Sequence, residues 1–279
     1  MGGPDPIAAQ GWHAELALGF VRRGERTVLA SRRHDGPLVV QKPLHPEGPA
    51  SCHAIVVHPP AGIAGGDRLS LQANVAQGGH ALLTTPGAAK WYRSSGSAAE
   101  QTIAFEVHDG AALEWLPQES IVYGGAIASF ATHVRLRGSG AFLGWEVVCL
   151  GRTASGERFA RGSLALATTI ERDGRPIWIE RGVLPAGALL AASPAGLDAR
   201  PVFGTFVATI SADRNMLDRL RQLAPRSGDG AVTALPEVAV VRYLGGSTEA
   251  AHAYFRAAWE VLRPPTVGRA AAPPRIWST

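Results

Sequence analysis

The stretch IASFATHVRL, Ile127–Leu136, decides the fold class. Its even positions are Ala128, Phe130, Thr132, Val134 and Leu136, and its odd positions end in His133 and Arg135. An alternation of period two puts one set of side chains on a buried face and the other on a wetter one, which is the pattern of a β-strand. Outward from it, short apolar or alternating runs recur along the first 210 or so residues, punctuated by Gly, Pro, Asp or Asn. Strands are predicted near Leu16–Val21, Thr27–Ser31, Leu38–Lys42, Cys52–His58, Leu69–Val75, His80–Thr84, Thr102–Val107, Ala111–Leu116 and Ser120–Tyr123. After Ile127–Leu136 they continue at Ala141–Leu150, Ser163–Ile170, Pro176–Gly182 and Val202–Ser211.

Helical spacing comes late. Met216, Leu217, Leu220 and Leu223 predict a helix over Ala212–Leu223. A stronger one spans Ser247–Leu262, with Ser247 as N-cap and Glu249 in the first turn, where the helix dipole favours an acid. Ala251, Tyr254, Phe255, Ala258 and Leu262 form its apolar stripe, and Pro264–Pro265 is expected to stop it. Ala224–Thr233 reads as a loop. No repeat of fixed period is visible. The expectation is a mainly β, single-domain chain over residues 12–263, with two helices in its last third. Residues 1–11 are expected to form a flexible N-terminus and residues 264–279 a Pro-rich tail.

The bulk properties agree with a folded protein. Of 279 residues, 46% are hydrophobic and 18% charged, enough apolar material for a core. No apolar run reaches the roughly 18 residues a membrane span requires. The N-terminus lacks a basic segment leading into an apolar one, so a cytoplasmic location is expected. The net charge of +4 is mild, and Lys and Arg are scattered, with close pairs such as Arg22–Arg23, Arg32–Arg33 and Arg219 with Arg221 but no basic stripe. Cys52 and Cys149 read as reduced, buried thiols.

Four segments carry candidate chemistry. HPEGPASCHAIVVH (His45–His58) holds His45, Cys52, His53 and His58, all ligand types for transition metals. On an extended strand, however, Cys52 and His58 lie about 20 Å apart and His53 points the other way, so they do not converge on one ion. HPPAGIAGGD (His58–Asp67) is a rigid then tightly turning loop, with Asp67 able to cap its own backbone. TTPGAAKWYRSSG (Thr84–Gly96) packs hydroxyls, cations and aromatics together. Such a cluster suits a protein interface first, and an anion site or base stacking otherwise. EWLPQE (Glu114–Glu119) offers two carboxylates of opposite strand parity around Pro117, a poor arrangement for a hydrolase pair. Phosphate-loop, nucleophile-elbow and H-E-x-x-H motifs are absent.

Taken in order with QKPLHPEG (Gln41–Gly48), LGWEVVCLGRTASGERF (Leu143–Phe159) and PRIW (Pro274–Trp277), these segments resemble the urease accessory protein UreD (UreH) family from about Trp12 to Trp277. The chain departs from the family pattern at Ala61, where Gly is expected, and at His45, where an aromatic is common. The resemblance implies a β-rich superhelical fold with a couple of helices and no chemistry of its own. It implies binding to apo-urease and to UreF, which engages the GTPase UreG, and no tightly bound cofactor but nickel in transit to urease. A transit route needs weak sites, since a cage of His and thiolate would trap Ni²⁺, so sparse oxygen donors are favoured. Asp67 and Glu180 are the expected transit ligands, with His58 at the entry and Thr84, Thr85 and Glu119 as wall residues. Lys90, Trp91, Tyr92, Arg93, Trp259 and Arg263 are the expected partner contacts, with Trp259 off the apolar stripe and the tail ordering on binding. Neither nucleic acid nor membrane is an expected partner. The alternatives are a β module for polyanions or single-stranded nucleic acid through Lys90–Arg93, and a glycoside hydrolase using Glu114 and Glu119.

Overall fold

Ile127–Leu136 is a strand over the predicted residues, and Ala128, Phe130, Val134 and Leu136 are buried. It lies third from one edge of a seven-stranded sheet. The spatial order is Arg175–Pro185, Ser163–Arg172, Ile127–Leu136, Ala99–Val107, Arg68–Val75, His13–Arg23 and Arg26–Asp35. Its inner strands run parallel, and an antiparallel hairpin closes each edge. The computed structural model describes residues 11–278, so the N-terminal segment 1–11 falls, apart from Gly11, outside the described residues.

The second sheet has eleven strands. Its main path is Asp229–Leu235, Val238–Gly245, Val202–Ala208, Ala141–Leu150, Ala112–Trp115, His80–Thr84, Cys52–Val57 and Val39–Val40. Ser120–Val122, Ala89–Trp91 and Gly62–Ile63 extend it beside the end of Ala141–Leu150. The chain alternates between sheets, so that His80 aligns with Ala112 and Ala112 with Ala141, and each coil returns after roughly 30 residues, a solenoid-like winding. The coils differ in length, which is why no fixed period shows in the sequence.

Two cores result. One fills the space between the sheets, with Phe20, Val75, Trp91, Phe105 and Leu113 among its members. The other lies between the outer face of the second sheet and two helices, α2 (Arg214–Arg221) and α3 (Thr248–Val267); a single-turn helix, α1 (Leu189–Ala192), precedes them. Ala251, Tyr254, Phe255, Ala258 and Leu262 of α3 are all buried there, as the stripe predicts. Asp213 and Ser247 cap α2 and α3 by accepting from Met216 N and Ala250 N.

Three expectations are corrected. Ala224–Thr233 is a loop only in part, because Asp229–Leu235 pairs with the apolar run Val238–Gly245 as a tight hairpin. The Ser-Gly-Asp-Gly sequence reads as a turn in isolation, but the neighbouring strand overrides it. Pro264 and Pro265 do not stop α3, which continues to Val267. The Thr266 hydroxyl donates to Leu262 O, and the Arg263 guanidinium ties this last turn to the sheet, offsetting the two missing N–H donors. The tail is packed on the body without a partner. Trp277 stacks against Trp145 and Trp259, and its indole N–H donates to Thr84 Oγ1 at 2.8 Å.

Candidate functional site

The second sheet is interrupted. Ala112–Trp115 pairs with Ala141–Gly144 and Ser120–Val122 with Val148–Leu150, leaving Trp145, Glu146 and Val147 without a strand on that side. The segments Thr85–Ala88 and Leu116–Glu119 pass around this gap. Behind it, between the sheets, is a cavity of about 380 Å³. Its walls are mostly apolar, including Leu71, Ile103, Phe142 and Ile170, with polar groups set among them: Gln101, Thr132, Thr168, Glu146, Glu180 and Thr205. His58, Thr85 and Lys90 also line it.

Glu146 is the distinctive group. It is the single acid in the otherwise uncharged strand AFLGWEVVCL, and strand parity turns it toward the first sheet while Trp145 and Val147 face the helices. Its carboxyl has no hydrogen-bond partner among the described residues, and the surface it exposes lines the cavity. Burial, and then the nearby charge of Glu180, push its pKa up to about 7. The lone acid in an apolar strand was the available signal for it. Glu180 sits across the inter-sheet space, ion-paired at 2.6 Å to Arg242, whose guanidinium also lies over the Trp178 ring.

The other expected transit residues are distributed differently. Asp67 does not line the cavity. Its Oδ1 accepts from Trp12 N and its Oδ2 from Ala64 N, each at 2.7 Å, so the carboxylate clasps the glycine-rich loop to the first strand. Burial pulls the pKa of His58 down, against the opposing pull of Asp67. The Thr84 hydroxyl donates to Leu116 O, beneath Trp277. Glu119 stands on the helix side, bound by His252 at 3.2 Å and Thr248 at 3.5 Å. Among the described residues no three His, Cys, Asp or Glu side chains converge to hold a metal ion.

Three of the expected partner contacts are corrected by burial. Trp91 is fully buried, stacked on Phe130 with ring centroids 4.4 Å apart. Trp259 and Arg263 are also fully buried, because the acid they reach lies inside the chain. Glu114 accepts from Trp259 Nε1 at 2.7 Å and from Arg263, which also binds Glu47. His80 and His53 complete the set on Glu114 and Glu47. Burial raises the pKa of Glu47, but the bonds from His53 and Arg263 outweigh it and bring it to about 2. For Glu114 burial is likewise outweighed, by His80 and Arg263, and its pKa is lowered. Fully buried, with its oxygens taken by Trp259, Arg263 and His80, Glu114 is closed off from a substrate. Tyr92 and Arg93 are exposed, and Lys90 is half-buried at the cavity.

The model of the UreD urease accessory protein family matches residues 13–278. The chain belongs to that family. A urease accessory protein UreD from Azoarcus sp. (strain BH72) is 53% identical over 273 residues, covering 98% of this chain and 96% of the relative. The UreD of Dechloromonas aromatica (strain RCB) is 50% identical over 279 residues, covering 98% and 97%. The UreD of Pseudomonas aeruginosa PAO1 is 47% identical over 277 residues, covering 99% and 98%. The UreD match thus spans the cavity, the gap and the docked tail alike. Among the described residues no helix is long and apolar enough to cross a membrane.

Proposed function

We propose that the chain is a non-catalytic scaffold of urease maturation, which binds apo-urease and UreF, and through UreF the GTPase UreG, while nickel travels as cargo through the inter-sheet cavity. The observation that supports this reading is the cavity itself, with Glu146 and Glu180 and the hydroxyls of Thr85, Thr132 and Thr168 spaced along apolar walls. Isolated carboxylates and hydroxyls offset part of the dehydration of a divalent ion without trapping it. A carboxyl with a pKa near 7 adds a further property. With a pKa of about 7, Glu146 keeps its proton in part of the population near neutral pH, and a cation arriving beside it displaces that proton, so occupancy and charge compensation are linked. His58 lines the same space and supplies a nitrogen donor at an entry. The reading places the work in the cytoplasm and requires no resident cofactor.

The test is urease activation in cells carrying the urease operon with Glu146→Gln, Glu180→Gln or both. The double variant is expected to assemble with apo-urease normally, yet yield urease with several-fold less nickel and activity. Full nickel content with both carboxylates neutralised would exclude the cavity as the route. Asp67→Ala is expected to loosen the Ala64–Asp67 loop, because Asp67 holds two backbone N–H groups.

A further inference from the structure

Two rows of polar side chains face each other inside the cavity. In the second sheet Glu146 lies beside Thr205, and Thr205 beside Arg242, in register on three neighbouring strands. In the first sheet Thr132 lies beside Thr168, and Thr168 beside Glu180. The outer ends of the rows are joined across the inter-sheet space, where the partly exposed Arg242 donates to Glu180 at 2.6 Å and to Thr205 at 3.2 Å. The inner ends, Glu146 and Thr132, stand two strand spacings in from that pair, roughly 10 Å. Glu146, Thr132, Thr168 and Thr205 all line the cavity. Among the described residues neither the Glu146 carboxyl nor the hydroxyls of Thr132 and Thr168 have a hydrogen-bond partner.

The charges of this strip do not cancel. Arg242 matches Glu180, which leaves Glu146, once ionised, as one uncompensated negative charge. His58 and Lys90 are the other titratable groups on the walls. His58 has its pKa lowered by burial and is neutral. Lys90 lies in the row of Ile121 and Cys149, which face the helix-side core, so its side chain leaves the strand away from Glu146. The charge that Glu146 feels is that of Glu180. A lone carboxylate among apolar walls lacks a counter-charge, and a ligand carrying a single positive charge supplies it. A resident dication would leave one positive charge over. The walls beyond the strip, Leu71, Ile103, Phe142 and Ile170, suit a hydrocarbon body. An ammonium head has three N–H donors, and the strip has three free acceptors, Glu146, Thr132 and Thr168. We propose that the cavity is a binding site for a primary organic ammonium with an apolar body, its head beside Glu146 and facing the hydroxyls of Thr132 and Thr168. The site rests on these groups alone and goes beyond the scaffold reading.

The experiment titrates the purified full chain with phenethylammonium chloride in a calorimeter, with 2-phenylethanol and 3-phenylpropionate as the neutral and anionic counterparts. Saturable one-to-one binding of the ammonium is expected, about tenfold tighter at pH 8 than at pH 6, the ratio of ionised Glu146 for a pKa of about 7. The propionate is expected not to bind. Glu146→Gln is expected to weaken ammonium binding by about tenfold or more at pH 8, to abolish its pH dependence and to leave binding of the alcohol as it was. Thr132→Val is expected to weaken ammonium binding severalfold with the pH dependence kept. Absence of ammonium binding by the wild type, or equal affinity for the ammonium and the alcohol, would overturn the proposal. So would wild-type affinity for the ammonium in Glu146→Gln at pH 8. Thermal melting of both variants separates loss of the head's contacts from loss of fold. Neither urease nor nickel enters the measurement, so its failure would leave the scaffold reading standing.

Discussion

Glu146→Gln is expected to stabilise the protein at alkaline pH and leave it unchanged in acid. The carboxyl titrates near pH 7 in the folded chain against an ordinary value of 4.5. The folded state thus holds the proton more tightly than the unfolded chain does. Below pH 4.5 both states are protonated and the group contributes nothing. As pH rises through 4.5 the unfolded chain ionises first, and the destabilisation is fully developed above pH 7. The difference corresponds to about 3 kcal/mol at pH 8, at roughly 1.4 kcal/mol per pH unit. Glutamine keeps the shape and removes the titration. Urea denaturation of both proteins between pH 4 and 9 reads the effect directly. The expected gain rises from near zero at pH 4 to about 3 kcal/mol at pH 8. A gain that is independent of pH would refute the argument, because it would arise from packing and not from a buried charge. Added Ni²⁺ at pH 8 should raise the stability of the wild type more than that of the variant.

Arg263→Met leaves Glu47 and Glu114 buried without their guanidinium, so a loss of about 3–5 kcal/mol is expected in urea denaturation. Glu47 has its pKa lowered to about 2, so its stabilisation is present above pH 4.5 and lost as pH falls through 2. Acid unfolding followed by circular dichroism should therefore begin at higher pH in Arg263→Met. Ala61 adopts a left-handed backbone, φ 62°, so Ala61→Gly should raise stability by about 0.5 kcal/mol in thermal melting, the relief of strain exceeding the added freedom of the unfolded chain. Trp277→Ala removes the indole from between Trp145 and Trp259, with an expected cost of about 2 kcal/mol and a change in tryptophan emission.

The strands of the first 210 residues were legible because alternation is a local signal. All fourteen predicted runs coincide with strands, and Ile127–Leu136 and Ala141–Leu150 agree at both ends. Gly62–Ile63 and Ala89–Trp91 were not legible, because two or three residues carry no period. The Gly expected at position 61 has its reason in the positive φ there. The site was harder to read. Asp67 looked like a transit ligand on a tightly turning loop, whereas its oxygens are committed to Trp12 N and Ala64 N, a contact 55 residues away in sequence in the first case. Trp259 lay off the apolar stripe, but the polar atom it needed, Glu114, was supplied by a strand 145 residues earlier. Hydrogen-bond partners at such separations leave no mark in local pattern.

The buried arginine clamp also bears on how the chain is made. Glu114 and Glu47 emerge from the ribosome 149 and 216 residues before the arginine that neutralises them. Until α3 is synthesised, Glu114 in the second sheet and Glu47 in the turn beside it lack their guanidinium and need water. The nascent protein therefore keeps that face hydrated and unsealed through most of translation, and closes only when its last few dozen residues arrive.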